Sequence, residues 1–78
     1  DKIDIRGLRV DEAMQQLQEF FDQALIAGKI NLEILHGKGD GTLKRIVKQK
    51  LKEYNLPMQI SHPAPDAGGD GITLVHIH

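Results

Sequence analysis

The stretch Ile34-Leu35-His36-Gly37-Lys38-Gly39-Asp40-Gly41-Thr42-Leu43 decides how this chain is read. An apolar run ends at His36, and three glycines then alternate with Lys38 and Asp40. Apolar spacing resumes at Leu43, Ile46, Val47, Leu51 and Tyr54, positions that share one helical face. The pattern predicts a short buried strand over Leu32 to Leu35, a tight glycine turn, and a helix with Thr42 as its N-cap. Pro57 ends that helix's reach.

Towards the N-terminus, Ile3-Asp4-Ile5-Arg6 alternates apolar and polar residues. It predicts a strand that buries one face, presents Asp4 and Arg6 on the other, and ends at Gly7. Val10, Ala13, Met14, Leu17, Phe20, Phe21, Ala24 and Leu25 then repeat at helical spacing, so a first helix is expected from residue 11 to 27. Asp11 and Glu12 complement its N-terminal dipole, and Gly28 is placed to end it. Towards the C-terminus, Met58 to His62 is a third candidate strand. Pro63 to Gly71 is a loop by its prolines, glycines and aspartates, and Ile72 to Ile77 is a strongly β-branched fourth strand. The order is β-α-β-α-β-β. Strands joined through helices are expected to run parallel, and the last two to form an antiparallel hairpin. The fold class is therefore α/β, more closely an α+β two-layer sandwich, with a four-stranded mixed sheet covered by two helices on one face. The other face must be polar or covered by a partner.

With 78 residues, 40% of them apolar and 27% charged, the chain has the make-up of one small globular domain. The absence of an initiator Met leads to the expectation that it is excised from the C-terminus of a larger protein. Without cysteine there is no disulfide, thiol nucleophile or Cys-based zinc site, so stability must come from aliphatic packing. No apolar run approaches the ~18 residues that span a bilayer, and no leader is evident, so a cytosolic location and no membrane partner are expected. The net charge of −1 conceals an uneven distribution. Residues 1–22 carry six carboxylates against three cations, and residues 36–54 carry six cations against two carboxylates.

In open α/β sheets ligands bind beyond the carboxyl ends of the strands, where Arg6-Gly7 and His36 fall. Gly37, Gly39 and Gly41 let backbone approach a ligand closely. The amides at Thr42 open a helix N-terminus, and Lys38 adds a full charge, which together suit an anion. The spacing matches neither the nucleotide P-loop nor the dinucleotide fingerprint, and the alternative is a merely structural turn. Lys44, Lys48 and Lys52 recur at i, i+4, i+8, a like-charge repeat that a polyanion would relieve and that a solvated helix face also explains. With no aromatic stacking platform, recognition of phosphates rather than of sequence is expected. Phosphodiester cleavage needs proton transfer and positive charge at the phosphate. His36 suits acid–base work, Arg6 and Lys38 suit a phosphate clamp, and Asp4 suits orientation of either or Mg²⁺ binding. The alternatives are a local Asp4–Arg6 ion pair and a histidine that only supports the turn. His76 and His78 share a strand face without a third ligand, and His62, Asp66 and Asp70 read as incidental or turn residues.

Ile3-Asp4-Ile5-Arg6-Gly7, the following amphipathic helix, Ile34 to Leu43, and Gly68-Gly69-x-Gly71-Ile72-Thr73 together resemble the Smr (small MutS-related) domain over nearly the whole chain. The Arg9-Val10-Asp11-Glu12-Ala13 run and the ending at Gly28 are most similar to Smr domains at the C-terminus of bacterial MutS homologues that act in recombination control. The resemblance implies a sandwich like the C-terminal domain of translation initiation factor three and, in several members, an endonuclease that nicks DNA or cuts RNA. The family's first motif falls on Asp4, Arg6 and Gly7, and its second on His36, Gly37, Gly39 and Gly41. The chain departs at Asp40, where the family often has Thr; an acidic group there would repel a phosphate or offer a carboxylate to a metal. The implied cofactor is Mg²⁺ or another divalent cation. Implied partners are branched or duplex DNA, ribosomal RNA, and the ATPase and dimerisation domains of a parent chain. The expected function is a nucleic-acid endonuclease with Asp4, Arg6 and His36 catalytic, and with Lys38, Thr42, Lys44, Lys48, Lys52 and the turn glycines binding phosphates. A non-catalytic DNA- or ribosome-binding module is the alternative, and a protein-interaction domain using the open sheet face is a third reading.

Overall fold

The computed structural model describes residues 1–78. Six elements follow the expected order: β1 (Lys2–Asp4), α1 (Val10–Ile26), β2 (Asn31–Leu35), α2 (Thr42–Lys52), β3 (Met58–Ser61) and β4 (Ile72–Ile77). Two short 3₁₀ turns, Pro65–Ala67 and Gly69–Gly71, fill the loop before β4. α1 stops where the sequence stops it. Gly28, at φ 71°, and Lys29 return their N–H groups to Leu25 and Ala24 at 3.1 and 2.9 Å, a Schellman closure.

The sheet order is β1-β2-β4-β3. β1 and β2 are parallel, and β4 runs antiparallel to both β2 and β3. The hairpin of the last two strands is present. The crossover through α2 passes one strand position, leaving a central slot that β4 fills with its β-branched residues. β2 and β3 are therefore parallel without touching.

Alternation along the strands sets the two faces. Ile34, Thr73, Val75 and Ile60 point to the helices, while Lys2, Asp4, Glu33, Gln59 and His76 lie on the open side, which is largely polar. Beneath the helices Ala13, Leu17, Phe21 and Ala24 of α1 and Val47 and Leu51 of α2 pack on Ile5, Leu32, Ile34 and Val75. Tyr54 closes the end of this layer. Its ring lies 4.3 Å from that of Phe21, and its hydroxyl donates to Asp22. Burial, followed by the Asp22 contact, pushes that hydroxyl up to about 12. No helix is long and apolar enough to cross a membrane.

Candidate functional site

The ends of β1 and β2 lie side by side, with Asp4 opposite Leu35 in register. Asp4 and Arg6 form a two-armed ion pair, Nε to Oδ1 at 2.9 Å and Nη2 to Oδ2 at 2.7 Å. The Arg6 backbone N–H also donates to Asp4 Oδ1 at 3.0 Å. These bonds, the side-chain ones foremost, hold the Asp4 carboxyl down at about 2 and push the Arg6 guanidinium up. Both groups remain on the surface. The Arg6 stem lies over Gly37, where a Cβ would stand 3.4 Å from Arg6 Cγ. The first motif thus rests directly on the second.

The glycine turn closes a shallow cleft of about 160 Å³ lined by Gly7 and residues 36–44. Gly37, Gly39 and Gly41 have φ of 80°, 38° and 85°, left-handed conformations that residues with a Cβ seldom adopt. Thr42 is not the N-cap of α2. That position belongs to Gly41, and Thr42 is the first helical residue. The capping carboxylate comes from Asp40, whose Oδ1 accepts the Thr42 N–H at 3.0 Å. This bond first of all lowers the Asp40 pKa. The departure at position 40 therefore satisfies one of the amides that the turn was expected to leave free for a ligand.

His36 is 4% exposed, and both ring nitrogens are engaged. Nδ1–H donates to the Gly37 carbonyl at 2.9 Å, and Nε2 accepts from the Thr73 hydroxyl at 2.8 Å. A carbonyl can only accept, so this pairing puts a proton on Nδ1, and in the neutral ring Nε2 accepts from the Thr73 hydroxyl. Burial leads the influences that lower its pKa, and the charges of His62, Lys44 and Lys48 lower it further. The Gly71 carbonyl accepts the N–H groups of His36 and Gly37 at 3.1 and 3.0 Å, stapling the turn to the loop before β4. The structure also brings His62 to this edge. Its Nδ1–H donates to the Ile72 carbonyl at 2.8 Å.

Lys44, Arg45, Lys48 and Lys52 line a groove of about 350 Å³ along α2, beginning at Gly41 and containing no hydrophobic side chain. The Lys44–Lys48–Lys52 stripe is thus continuous with the turn. Lys44 is paired with Asp70, 3.3 Å away across the loop before β4. Sequence reasoning did not count Thr73 and Asp70 as members of the site, although the Gly68-to-Thr73 stretch that holds both was one of those carrying the family resemblance. Arg45 was visible only as one charge among six.

Nowhere do three His, Asp or Glu side chains converge as a metal-ligand set. At this edge a divalent ion would meet Asp4, with both oxygens on Arg6, and Asp40, with one oxygen on the helix. This donor set does not fit a tightly held ion. Elsewhere, His76 Nδ1–H donates to Asn31 Oδ1 at 2.7 Å on the open face.

Known proteins share this fold. The family profile described as Smr domain matches residues 3–78. Endonuclease MutS2 of Maridesulfovibrio salexigens is 46% identical over 76 residues, 97% of this chain and 10% of that protein. Endonuclease MutS2 of Levilactobacillus brevis is 42% identical over 74 residues, 95% of this chain and 9% of that protein. The chain spans about a tenth of the length of these curated relatives. The crystal structure of the Smr domain of Thermus thermophilus MutS2 matches with a TM-score of 0.90 at 31% identity, covering 100% of this chain and 98% of that one. YdaL, a stand-alone small MutS-related protein from Escherichia coli, matches at 0.88 and 26% identity, covering 99% and 63%. The two motifs that meet at the sheet edge and the match across the whole fold place this chain in the Smr domain family.

Proposed function

We propose that the domain is a nucleic-acid endonuclease module that nicks DNA or cuts structured RNA at the Arg6–glycine-turn edge. The observation that carries this reading is the seating of Arg6 on Gly37, the first glycine of a turn that also holds Lys38 and whose last glycine, Gly41, begins the α2 groove. A phosphodiester laid over the turn is offered the Arg6 guanidinium from the end of β1 and Lys38 from the turn itself. Water, or a ribose 2′-hydroxyl in RNA, attacks the phosphorus as the bond to the leaving oxygen breaks, solvent taking the nucleophile's proton and returning one to the leaving oxygen. Charge that develops on the phosphate oxygens is gathered by groups already in place. Asp4, ionised at any working pH, is a weak base, and its part is to hold the Arg6 fork in one orientation. His36, with both nitrogens committed, positions the turn by fixing the Gly37 carbonyl. Lys44, Lys48 and Lys52 hold neighbouring phosphates and set the register. In the relatives this module sits within a protein about ten times longer, whose ATPase and dimerisation domains we propose as its partners in a bacterial cytosol.

The test is incubation with supercoiled plasmid and with a structured RNA such as ribosomal RNA, with and without Mg²⁺. Nicked circles or RNA fragments that vanish with Arg6→Ala and Asp4→Ala support the reading. Undiminished cleavage by those variants overturns it. The second reading, a binding module without chemistry, is favoured by the mutual saturation of Asp4 with Arg6 and of His36 with Thr73. It predicts salt-sensitive binding to branched DNA or ribosomal RNA, log affinity falling by roughly 0.9 per duplex phosphate contact, and no cleavage.

A further inference from the structure

We propose that Asp40 and Asp70 are specificity-determining residues: in the free domain their carboxylates occupy the positions that a bound strand's phosphates take, and so reserve the edge for polyanions. This rests on the nucleic-acid reading above. Asp40 places an oxygen 3.0 Å from the Thr42 N–H, where a helix N-terminus receives a phosphate oxygen. Asp70 places one 3.3 Å from Lys44 Nζ, on the first turn of the same helix. Asp4 stands in the same relation to Arg6. Three separate cationic features of one edge therefore each carry an aspartate. The carboxylates of Asp40 and Asp70 are exposed and free to swing away, and both have lowered pKa values, so they are charged whenever a strand arrives. Lys38 belongs to the same arrangement. Its stem lies against Gly71, where a Cβ would stand 3.5 Å from Lys38 Cγ, and its charge acts on Asp70.

A lone phosphate gains little here, because it exchanges one anion for another at a single cation. A strand gains more. It displaces two carboxylates while also reaching Lys48 and Lys52, which carry no ion pair, and it releases its own counterions. The arrangement thus selects for consecutive phosphates without contact to any base.

The experiment is fluorescence-anisotropy titration of the domain with a labelled DNA duplex and a labelled RNA hairpin at low salt. Asp70→Asn frees Lys44, and affinity is expected to rise about two- to five-fold, the scale of an exposed ion pair. Asp40→Asn keeps the cap, since Asn accepts the same N–H, and removes only the charge, so a rise of similar size is expected. Asp66→Asn removes an equal charge from the same loop where no cation is paired, and leaves affinity unchanged. In a Lys44→Gln background the gain from Asp70→Asn disappears. Inorganic phosphate competes no better than sodium chloride at matched ionic strength. Native binding with no gain in either variant overturns the proposal alone. So does a gain from Asp66→Asn as large, or an Asp70→Asn gain that survives Lys44→Gln. Absence of binding by native domain and variants alike removes the nucleic-acid reading and this proposal with it.

Discussion

α1 buries Ala13, Leu17, Phe21 and Ala24 against the sheet, whereas the shorter α2 buries only Val47 and Leu51. Their charges differ as sharply. α1 carries four carboxylates and no cation, and α2 carries five cations and no carboxylate. One α2 lysine is drawn into the scaffold, since Lys50 Nζ reaches Gln18 Oε1 on α1 at 2.9 Å and Glu53 at 3.5 Å. The other four cations line the groove. Both helices cover one core, but one is built to hold the sheet and the other to present charge at its edge. Long-range attraction for a polyanion therefore comes from the half of the sandwich that adds less to packing.

That division can be broken at its strongest point first. Phe21→Ala removes a fully buried ring that also stacks on Tyr54, and should cost about 3–5 kcal/mol in chemical denaturation. Any folded fraction should bind nucleic acid as before. Replacing Lys44, Lys48 and Lys52 together by Gln reverses the pattern. Loss of three phosphate contacts should weaken binding on the order of 100-fold in anisotropy titrations at ~0.1 M salt. Stability should change by no more than a few tenths of a kcal/mol, because relief of the like charges at i, i+4 offsets loss of the Lys44–Asp70 pair.

Thr73→Val lies where the two regions meet. It leaves His36 Nε2 buried without a donor, costs about 1–3 kcal/mol, and should loosen the glycine turn, seen as faster exchange of the Gly37 amide. The smallest effect is that of pH. The native state holds His36 neutral below its ordinary 6.5, so the unfolded chain takes up a proton first as pH falls. The His36 contribution is complete above 6.5 and declines as pH drops below it. Denaturation midpoints at about pH 7.5 and about pH 5.5 should differ less in His36→Gln than in the native domain. Asp4 acts in a lower window, stabilising fully above 3.8 and losing its contribution as pH falls towards about 2.

Periodicity alone reveals most of the scaffold, because it is a local property. The α1 stripe, the stop at Gly28 and the strand alternation around Ile3 and Ile5 all follow from neighbouring residues. The edge was legible as a basic region that begins at a glycine turn. Its interior pairings were not, because they join distant residues: His36 with Thr73 lies 37 positions away, and Lys44 with Asp70 lies 26. The cap made by Asp40 was hidden for a different reason. Its carboxylate reaches Thr42 across Gly41, which stands at φ 85°, and a backbone rotation of that kind leaves no trace in residue type beyond the glycine itself. The central position of β4 was equally hidden, since chain order fixes neither strand order nor register.

That central position bears on the order in which the molecule assembles. β4 is the last strand in sequence, yet it supplies the antiparallel neighbour of both β2 and β3, the Thr73 hydroxyl for His36, and the Gly71 carbonyl that anchors the turn just before it. Until those residues leave the ribosome, β2 has one unpaired edge and the glycine turn has nothing to close against. Joining β2 to β4 closes a long loop, an entropic cost that must be met before the contacts between them repay it. The α2 charges are local to one helix, but the turn at its head is pinned only once β4 and the loop before it have docked, so the last strand in sequence sets the shape of an edge formed much earlier in the chain.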